Sequence, residues 1–461
     1  MNNNITLNPM QLYAYNIMMA GHNTFLTGDG GVGKTSTLNK FIEASTAKGF
    51  NVMVTAMTGI ASLNLGGVTA HKALEIPIGP LTYMRDNYDP SDEIIQSDII
   101  IIDEISMCRI DTFDFISNKI LKANNIRKRV GKPCIQLIVV GDFFQLPPVT
   151  LPYEKAALNK FYGIDIGVGF AFESRNWKLF NFVNVILTDV VRQSNMEFIQ
   201  SLNKVRTGDK TEIDNIVKKS NTSYISDGIT LCGTRNEADR MNIEALEKLP
   251  GQLVEYPAEF EGDIENSGLN IDEKLELKVG ARVMTLINKG PVNNGSLGTI
   301  IELKENNVLV LMDSGVQVEC SRYEWTVYDY ELQRDEEADR VTLHKHSVGL
   351  IRQFPLKLAY AITIHKSQGQ TYKKVNISPY CWDCGQLYVA LSRVESLENL
   401  HFNYAPDPRY LIISLNVIKF YNSIVSIANP NIDITPREPS NIILKSKAGT
   451  ENDMRTLLDM L

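Results

Sequence analysis

Four glycines fall within eight residues, Gly28-Asp29-Gly30-Gly31-Val32-Gly33-Lys34-Thr35. The octet follows an apolar run, Asn23–Thr27, and opens a helical pattern, Ser36–Ala44. Glycines let backbone N–H groups converge on one point, and a helix N-terminus adds a favourable dipole for an anion there. Lysine and threonine at the last two places complete the pattern G-x-x-x-x-G-K-[ST]. Such a strand–loop–helix cradles phosphates and belongs to a parallel α/β sheet. Gly28, Gly30, Gly31, Val32, Gly33, Lys34, Thr35 and Ser36 are the expected nucleotide-binding set. Lys34 is expected to reach the β- and γ-phosphates, and the Thr35 hydroxyl to ligate Mg²⁺.

A phosphate loop needs an acidic partner at the end of a nearby strand. Ile99-Ile100-Ile101-Ile102-Asp103-Glu104 supplies it. Four isoleucines read as a strand buried on both faces. Two carboxylates at its end are costly unless they meet a metal or water. Asp103 is expected to hold Mg²⁺ and Glu104 to act as general base on the attacking water. These two elements read as the site of a P-loop NTPase, and fold alone does not say what the energy does.

The rest of the chain bounds what that site can serve. At 461 residues it holds several domains. No apolar run reaches the roughly 18 residues of a membrane-spanning helix, and no signal peptide is visible. The formal charge of −8 excludes uniform electrostatic coating of nucleic acid, so phosphate contacts must come from a local groove. Cys381 and Cys384 form a lone C-x-x-C pair and read as ordinary thiols. A cytoplasmic protein of bacterial or phage origin is expected.

Val52–Ala56, Ile99–Ile102 and Gln136–Val140 are short β-branched runs with helical patterns between them, which predicts parallel βαβ units over 1–184. Pro77, Pro80 and Pro90 break the pattern, so 74–92 reads as an inserted loop or small hairpin. A second α/β stretch covers 185–250 and 348–405, with expected strands at Leu358–Thr363 and Val375–Ser378 and a helix around Gln386–Val394. Between them, 251–347 contains the strand-like runs Leu297–Leu303, Val308–Met312 and Val316–Cys320, divided by tight turns. A small antiparallel barrel is expected there. In the tail, 406–461, Ile412–Ile427 and Asn452–Leu461 have helical spacing and no assigned role.

The third strand runs into Gly141-Asp142-Phe143-Phe144-Gln145-Leu146-Pro147-Pro148. With this segment the chain resembles superfamily-1 helicases of the 5′-to-3′ branch, and within them the PIF family. Matching segments follow in order: Gln11; Thr55–Ala61 with Gly67–His71; Asp103–Met107; Gly141–Pro148; Phe172–Ser174 with Trp177; Leu187–Gln193 with Leu202-Asn203 and Arg206–Gly208; Gly280–Met284 and Asn294–Gly298; Tyr360–Thr371; and Tyr388–Arg393.

The resemblance implies two RecA-like P-loop domains, with a wedge-like insert in the first and an SH3-like β-barrel insert in the second. It implies that ATP lies between the domains. Gln11 would read adenine, Gln145 sense the γ-phosphate, and Arg192 and Arg393 stabilise transferred charge, with Gly369 also in the nucleotide set. Single-stranded DNA would meet Thr58, Thr69, His71, Thr234, Arg235, Asn236, Thr363, His365, Lys366 and Ser367. Hydroxyls and backbone amides there grip phosphates without raising net charge. Pro77, Pro80, Leu81 and Tyr83 are the wedge candidates.

The chain departs from larger family members in having no extended region before Gln11. The expected activity is ATP- and Mg²⁺-dependent 5′-to-3′ unwinding of duplex, forked or G-quadruplex DNA by a single chain. Three alternatives stay open on sequence: a RecD-like recombination helicase, a DNA-stimulated ATPase that displaces proteins, and an RNA helicase.

Overall fold

The computed structural model describes residues 6–77, 79–82, 89–188, 196–220, 223–225, 228–264, 271–290, 292, 294–335, 340–424 and 432–439. Backbone alone is described for 60, 63–64, 328–335 and 340–346.

The first domain is a six-stranded parallel sheet. Its strands are β1 (Thr24–Gly28), β2 (Val52–Ala56), β3 (Val68–Thr69), β4 (Ile99–Asp103), β5 (Gln136–Val140) and β6 (Val183–Leu187), in the order β3-β2-β4-β5-β1-β6. The isoleucine run behaves as its composition dictates. Ile100 and Ile102 enter the core on one face of the sheet, Ile99 and Ile101 the core on the other, and all four are buried. The expected domain break at 184/185 falls inside β6. The ladder of Val183–Leu187 on Thr24–Gly28 keeps that whole strand in the first sheet.

The second domain is a four-stranded parallel sheet built from β7 (Ile229–Cys232) and three strands that follow the insert. The insert contributes β8 (Val254–Pro257), β9 (Glu259–Gly262), β10 (Lys274–Leu277), β11 (Arg282–Thr285), β12 (Leu297–Leu303), β13 (Asn307–Met312), β14 (Gln317–Ser321), β15 (Tyr323–Asp335), β16 (Arg340–Gln353) and β17 (Leu356–Leu358). β12, β13 and β14 match the three expected strands to within a residue or two. They form the sheet β14-β13-β12-β11-β17 beside a β10-β8 pair, around a core of Tyr256, Val283, Ile300, Val310 and Phe354.

Among the described residues the five-stranded sheet and the β10-β8 pair are separate ladders rather than one closed SH3-like barrel. β15 and β16 instead pair as one long hairpin, extended at its base by β9. The insert therefore runs past 347. The expected strand Leu358–Thr363 splits: Leu358 pairs with Val283 of the insert, while Ala361 pairs with Thr230 of the second domain. β18 (Ala361–Thr363), β19 (Val375–Ile377) and β20 (Leu400–Phe402) then complete the order β18-β7-β19-β20.

The tail returns to the first domain. Helix Leu415–Ser423 buries Val417 and sets Phe420 and Tyr421 against the first-domain core. Phe420 stacks on Phe172 with centroids 4.2 Å apart, and Phe143 meets the Phe420 ring edge-on. Farther on, the Arg437 N–H donates to the Met19 carbonyl. The expected helix at Asn452–Leu461 lies outside the described residues.

In the 74–92 segment, Pro77 and Leu81 are buried rather than offered to a base pair. The Leu81 N–H donates to Asp111, whose carboxylate also takes the Arg109 fork. Tyr83 lies outside the described residues.

Candidate functional site

The phosphate loop leaves β1 where only glycine fits. Gly28 has φ +140°, and a Cβ there would lie 2.3 Å from the Leu187 carbonyl oxygen of β6. The loop ends at helix Lys34–Ala47. Lys34 Nζ donates to the carbonyls of Gly28 (2.7 Å) and Asp29 (2.9 Å), so the ammonium sits inside the loop. Val32 is fully buried and anchors the loop from beneath. Gln11 is buried as well, and both ends of its amide are engaged: Nε2 donates to the Val32 carbonyl, and Oε1 accepts from Asn8 N. In this conformation Gln11 braces the loop and caps its own helix.

β4 delivers Asp103 and Glu104 opposite the loop. Glu104 adopts a left-handed backbone (φ 53°), which a non-glycine residue holds only against strain. Burial, with the adjacent Glu104 charge, pushes the Asp103 carboxyl up to about 7. A divalent cation relieves that situation, and carboxylate and hydroxyl oxygens are the ligands Mg²⁺ prefers. Asp103 and Thr35 line one cleft, so the residues present fit the ion.

Two domains line that cleft. The first gives Gly30, Gly31, Lys34, Thr35, Asp103, Glu104 and Gln145; the second gives Gly369, Gln370, Ser392 and Arg393. Arg393 is buried, and its guanidinium is braced by the carbonyls of Val389, Ser367 and Gln370. Gln145 meets the second domain directly. Gly385, φ +72°, comes so close that a Cβ would lie 2.4 Å from the Gln145 carbonyl oxygen. Helix Gln386–Leu391 starts at that contact and leads to Arg393. Ser36, on the first turn, is half-buried. Arg192 lies outside the described residues.

The expected strand-binding residues divide by domain. Thr58 and His71 follow the C-terminal ends of β2 and β3, and Thr69 is the last residue of β3, where ligands of open α/β sheets bind. Thr234, Arg235, Thr363, His365 and Lys366 line a second cavity of about 470 Å³, and Asn236 is exposed beside them. His365 Nε2 is enclosed and has no hydrogen-bond partner among the described residues. Burial holds the His365 pKa down, while the Asp383 charge opposes this. Ser367 does not join the set. It is fully buried, and its hydroxyl is bound to the Ile364 carbonyl.

Sequence reasoning missed several neighbours. Trp382 closes the strand-side cavity, its indole N–H donating to the Gly233 carbonyl. Gln368, inside the segment Tyr360–Thr371, donates from Nε2 to Glu104 Oε2 across the nucleotide cleft. Tyr388, inside Tyr388–Arg393, accepts from the Gly30 N–H at 3.1 Å. Tyr421 hydrogen-bonds Thr27 and takes the Phe143 N–H, yet no motif marks it.

Comparison with known proteins agrees with this geometry. A model of the PIF1-like helicase family matches residues 7–216. The ATP-dependent DNA helicase PIF1 of Danio rerio is 33% identical over 443 residues, covering 90% of this chain and 63% of that protein, so the chain spans under two thirds of that relative. The ATP-dependent DNA helicase Pif1 of Campylobacter jejuni is 30% identical over 447 residues, 88% of this chain and 95% of the relative. Among solved structures, Bacteroides Pif1 bound to single-stranded DNA superimposes with a TM-score of 0.75 at 34% identity, over 91% of this chain and 97% of that one. Pif1 helicase from Candida albicans gives 0.74 at 28% identity, over 91% of this chain and all of that one. With the phosphate loop, the acidic pair and the arginine of a second RecA-like domain meeting in one cleft, the chain belongs to the PIF1-like helicase family.

Proposed function

We propose that the chain is an ATP-dependent DNA helicase that moves along single-stranded DNA from 5′ to 3′ and opens duplexes, forks and G-quadruplexes. The observation that carries the reading is the shared cleft. Lys34, Asp103 and Glu104 come from one domain and Arg393 from the other, so the full set of charges forms only when the two are together.

The residues divide the work. Lys34 and the loop N–H groups hold the β- and γ-phosphates. Glu104 accepts a proton from the attacking water. Arg393 stabilises the charge that builds on the γ-phosphoryl oxygens, and Arg192 is assigned the same role from its motif. Thr35 and Asp103 would hold Mg²⁺, which would supply charge neutralisation at the phosphates. Gln145 faces the γ-phosphate side and touches Gly385, so the state of the cleft passes to the second domain. Cleft closure and opening then shift Thr234, Arg235, Asn236, Thr363, His365 and Lys366 relative to Thr58, Thr69 and His71, stepping the strand. The similar solved structures include a Pif1 helicase from Bacteroides in complex with ADP-AlF3 and single-stranded DNA, and a structure described as the basis for unwinding at forked duplex DNA by two coordinating Pif1 helicases, which supports both the nucleotide and the junction as ligands. The motor as assembled needs one chain. The bacterial Pif1 relatives are in keeping with a cytoplasmic place of action.

Strand separation on two partial duplexes tests the reading. With ATP and Mg²⁺, the chain is expected to unwind from a 5′ overhang and not from a 3′ overhang, and Lys34→Ala to unwind neither. Unwinding from the 3′ overhang alone overturns the polarity. Hydrolysis without unwinding overturns the helicase.

A further inference from the structure

Asp29 places a carboxylate inside a loop made to receive anions. A negative charge there opposes the phosphates that Gly30–Thr35 attract, unless something cancels it. The structure shows what does. Arg206 Nη1 lies 2.9 Å from Asp29 Oδ1, while Nε and Nη2 fork onto Asp142, each at 2.9 Å. The guanidinium lies over the Phe144 ring at 4.4 Å, and Asp142 is fully buried.

Arg206 ends the helix Met196–Arg206, which packs through Phe198, Leu202 and Val205 into the second-domain core with Leu231 and Val389. Asp29 and Asp142 belong to the first domain. The neutralising charge is therefore supplied across the cleft. At the root of the phosphate loop, Asp29 and Asp142 bring two negative charges, and Lys34 and Arg206 bring two positive. Removing Arg206 leaves this group net negative, facing Asp103 and Glu104. Burial pushes the Asp29 carboxyl up, and Arg206 pulls it back down.

We propose that Arg206 is a positioning residue that cancels the charge of Asp29, so that the phosphate loop holds nucleotide tightly while the second domain is docked and loosely once it swings away. The proposal rests on the reading of Gly28–Thr35 as the nucleotide loop. Opening the cleft withdraws the guanidinium and uncovers Asp29 beside the phosphates. Their repulsion then helps expel the product, ADP. The ion pair thus links domain separation to product release without touching the ligand.

The test measures ADP affinity and ADP release for four forms of the full chain: wild type, Asp29→Asn, Arg206→Gln and the double variant. Asp29→Asn is nearly isosteric at a partly exposed loop position, and is expected to tighten ADP and slow its release by about threefold to tenfold. Arg206→Gln is expected to weaken ADP by about tenfold or more, and the added Asp29→Asn to recover most of that loss. A merely structural ion pair gives no such recovery. ADP affinity and release in Asp29→Asn within twofold of wild type overturn the proposal, and that variant decides the matter if Arg206→Gln does not fold. Wild type that binds no ADP, or binds it equally well as Lys34→Ala, overturns the loop reading itself. Normal wild-type binding with an unresponsive Asp29→Asn overturns only the charge mechanism.

Discussion

Gln368 Nε2 of the second domain lies 3.0 Å from Glu104 Oε2 of the first. Glu104 is the expected general base, and Gln368 holds one of its oxygens from across the cleft. Gln368 is itself buried, and its Oε1 has no partner. The base is thus oriented by the other domain. Replacing Gln368 by alanine is expected to lower kcat for ATP by about tenfold or more, with KM moving far less, because base alignment matters mainly in the transition state. Steady-state ATPase kinetics on single-stranded DNA check this, and an unchanged kcat refutes it.

Lys34→Ala removes the ammonium that lies within the loop. ATP hydrolysis is expected to be abolished while single-stranded DNA binding survives, since the strand-side cavity lies elsewhere. Phosphate release and DNA anisotropy on the same sample separate the two.

Arg393→Ala is expected to cut kcat by about 10³-fold with a much smaller change in ATP affinity. The same variant frees the carbonyls of Ser367 and Gln370, so a lower melting temperature accompanies the loss. The two effects are distinguished by measuring turnover well below the melting range. Turnover at the wild-type level removes the arginine from the chemistry.

Asp103→Ala deletes a carboxylate expected at the cation. The Mg²⁺ concentration for half-maximal hydrolysis is expected to rise by about tenfold or more. A titration of rate against Mg²⁺ at saturating ATP reads it directly, and an unmoved midpoint dismisses Asp103 as a cation holder.

Tyr421→Phe keeps the ring against Phe144 and removes only the hydroxyl that meets Thr27, Phe143 N and Asp142. A stability loss of about 1 to 3 kcal/mol is expected, because buried partners are left unsatisfied. Chemical denaturation of the two proteins measures it.

The two parallel sheets and the phosphate loop were legible because they follow local rules. Ile99–Ile102 can only be a strand covered on both sides, and a glycine-rich turn before a helix has one common use. The sites that escaped depend on residues far apart in the chain. Nothing at Arg206 says that Asp29 lies within its reach, and nothing in the spacing of 412–427 says that Phe420 covers Phe172. Gln11 carries a second task that its motif does not announce: the capping box with Asn8 and the Val32 carbonyl each engage one end of its amide. Leu81 and Ser367 failed as surface contacts, since burial is settled by what packs on a residue rather than by its neighbours in sequence. The split of Leu358–Thr363 was invisible because both halves are equally strand-like.

Helix Leu415–Ser423 gives the chain an order of assembly. The first domain is synthesised before the second, yet Phe172, already stacked on Phe170, lacks its second stacking partner Phe420 until residues past 420 emerge. Those residues appear only after the second domain and its whole insert have been synthesised. At about 5 to 20 residues per second that wait lasts roughly 10 to 50 seconds. The first domain waits that long for the Phe420 and Tyr421 rings, so its core is finished by a segment made after the whole second domain.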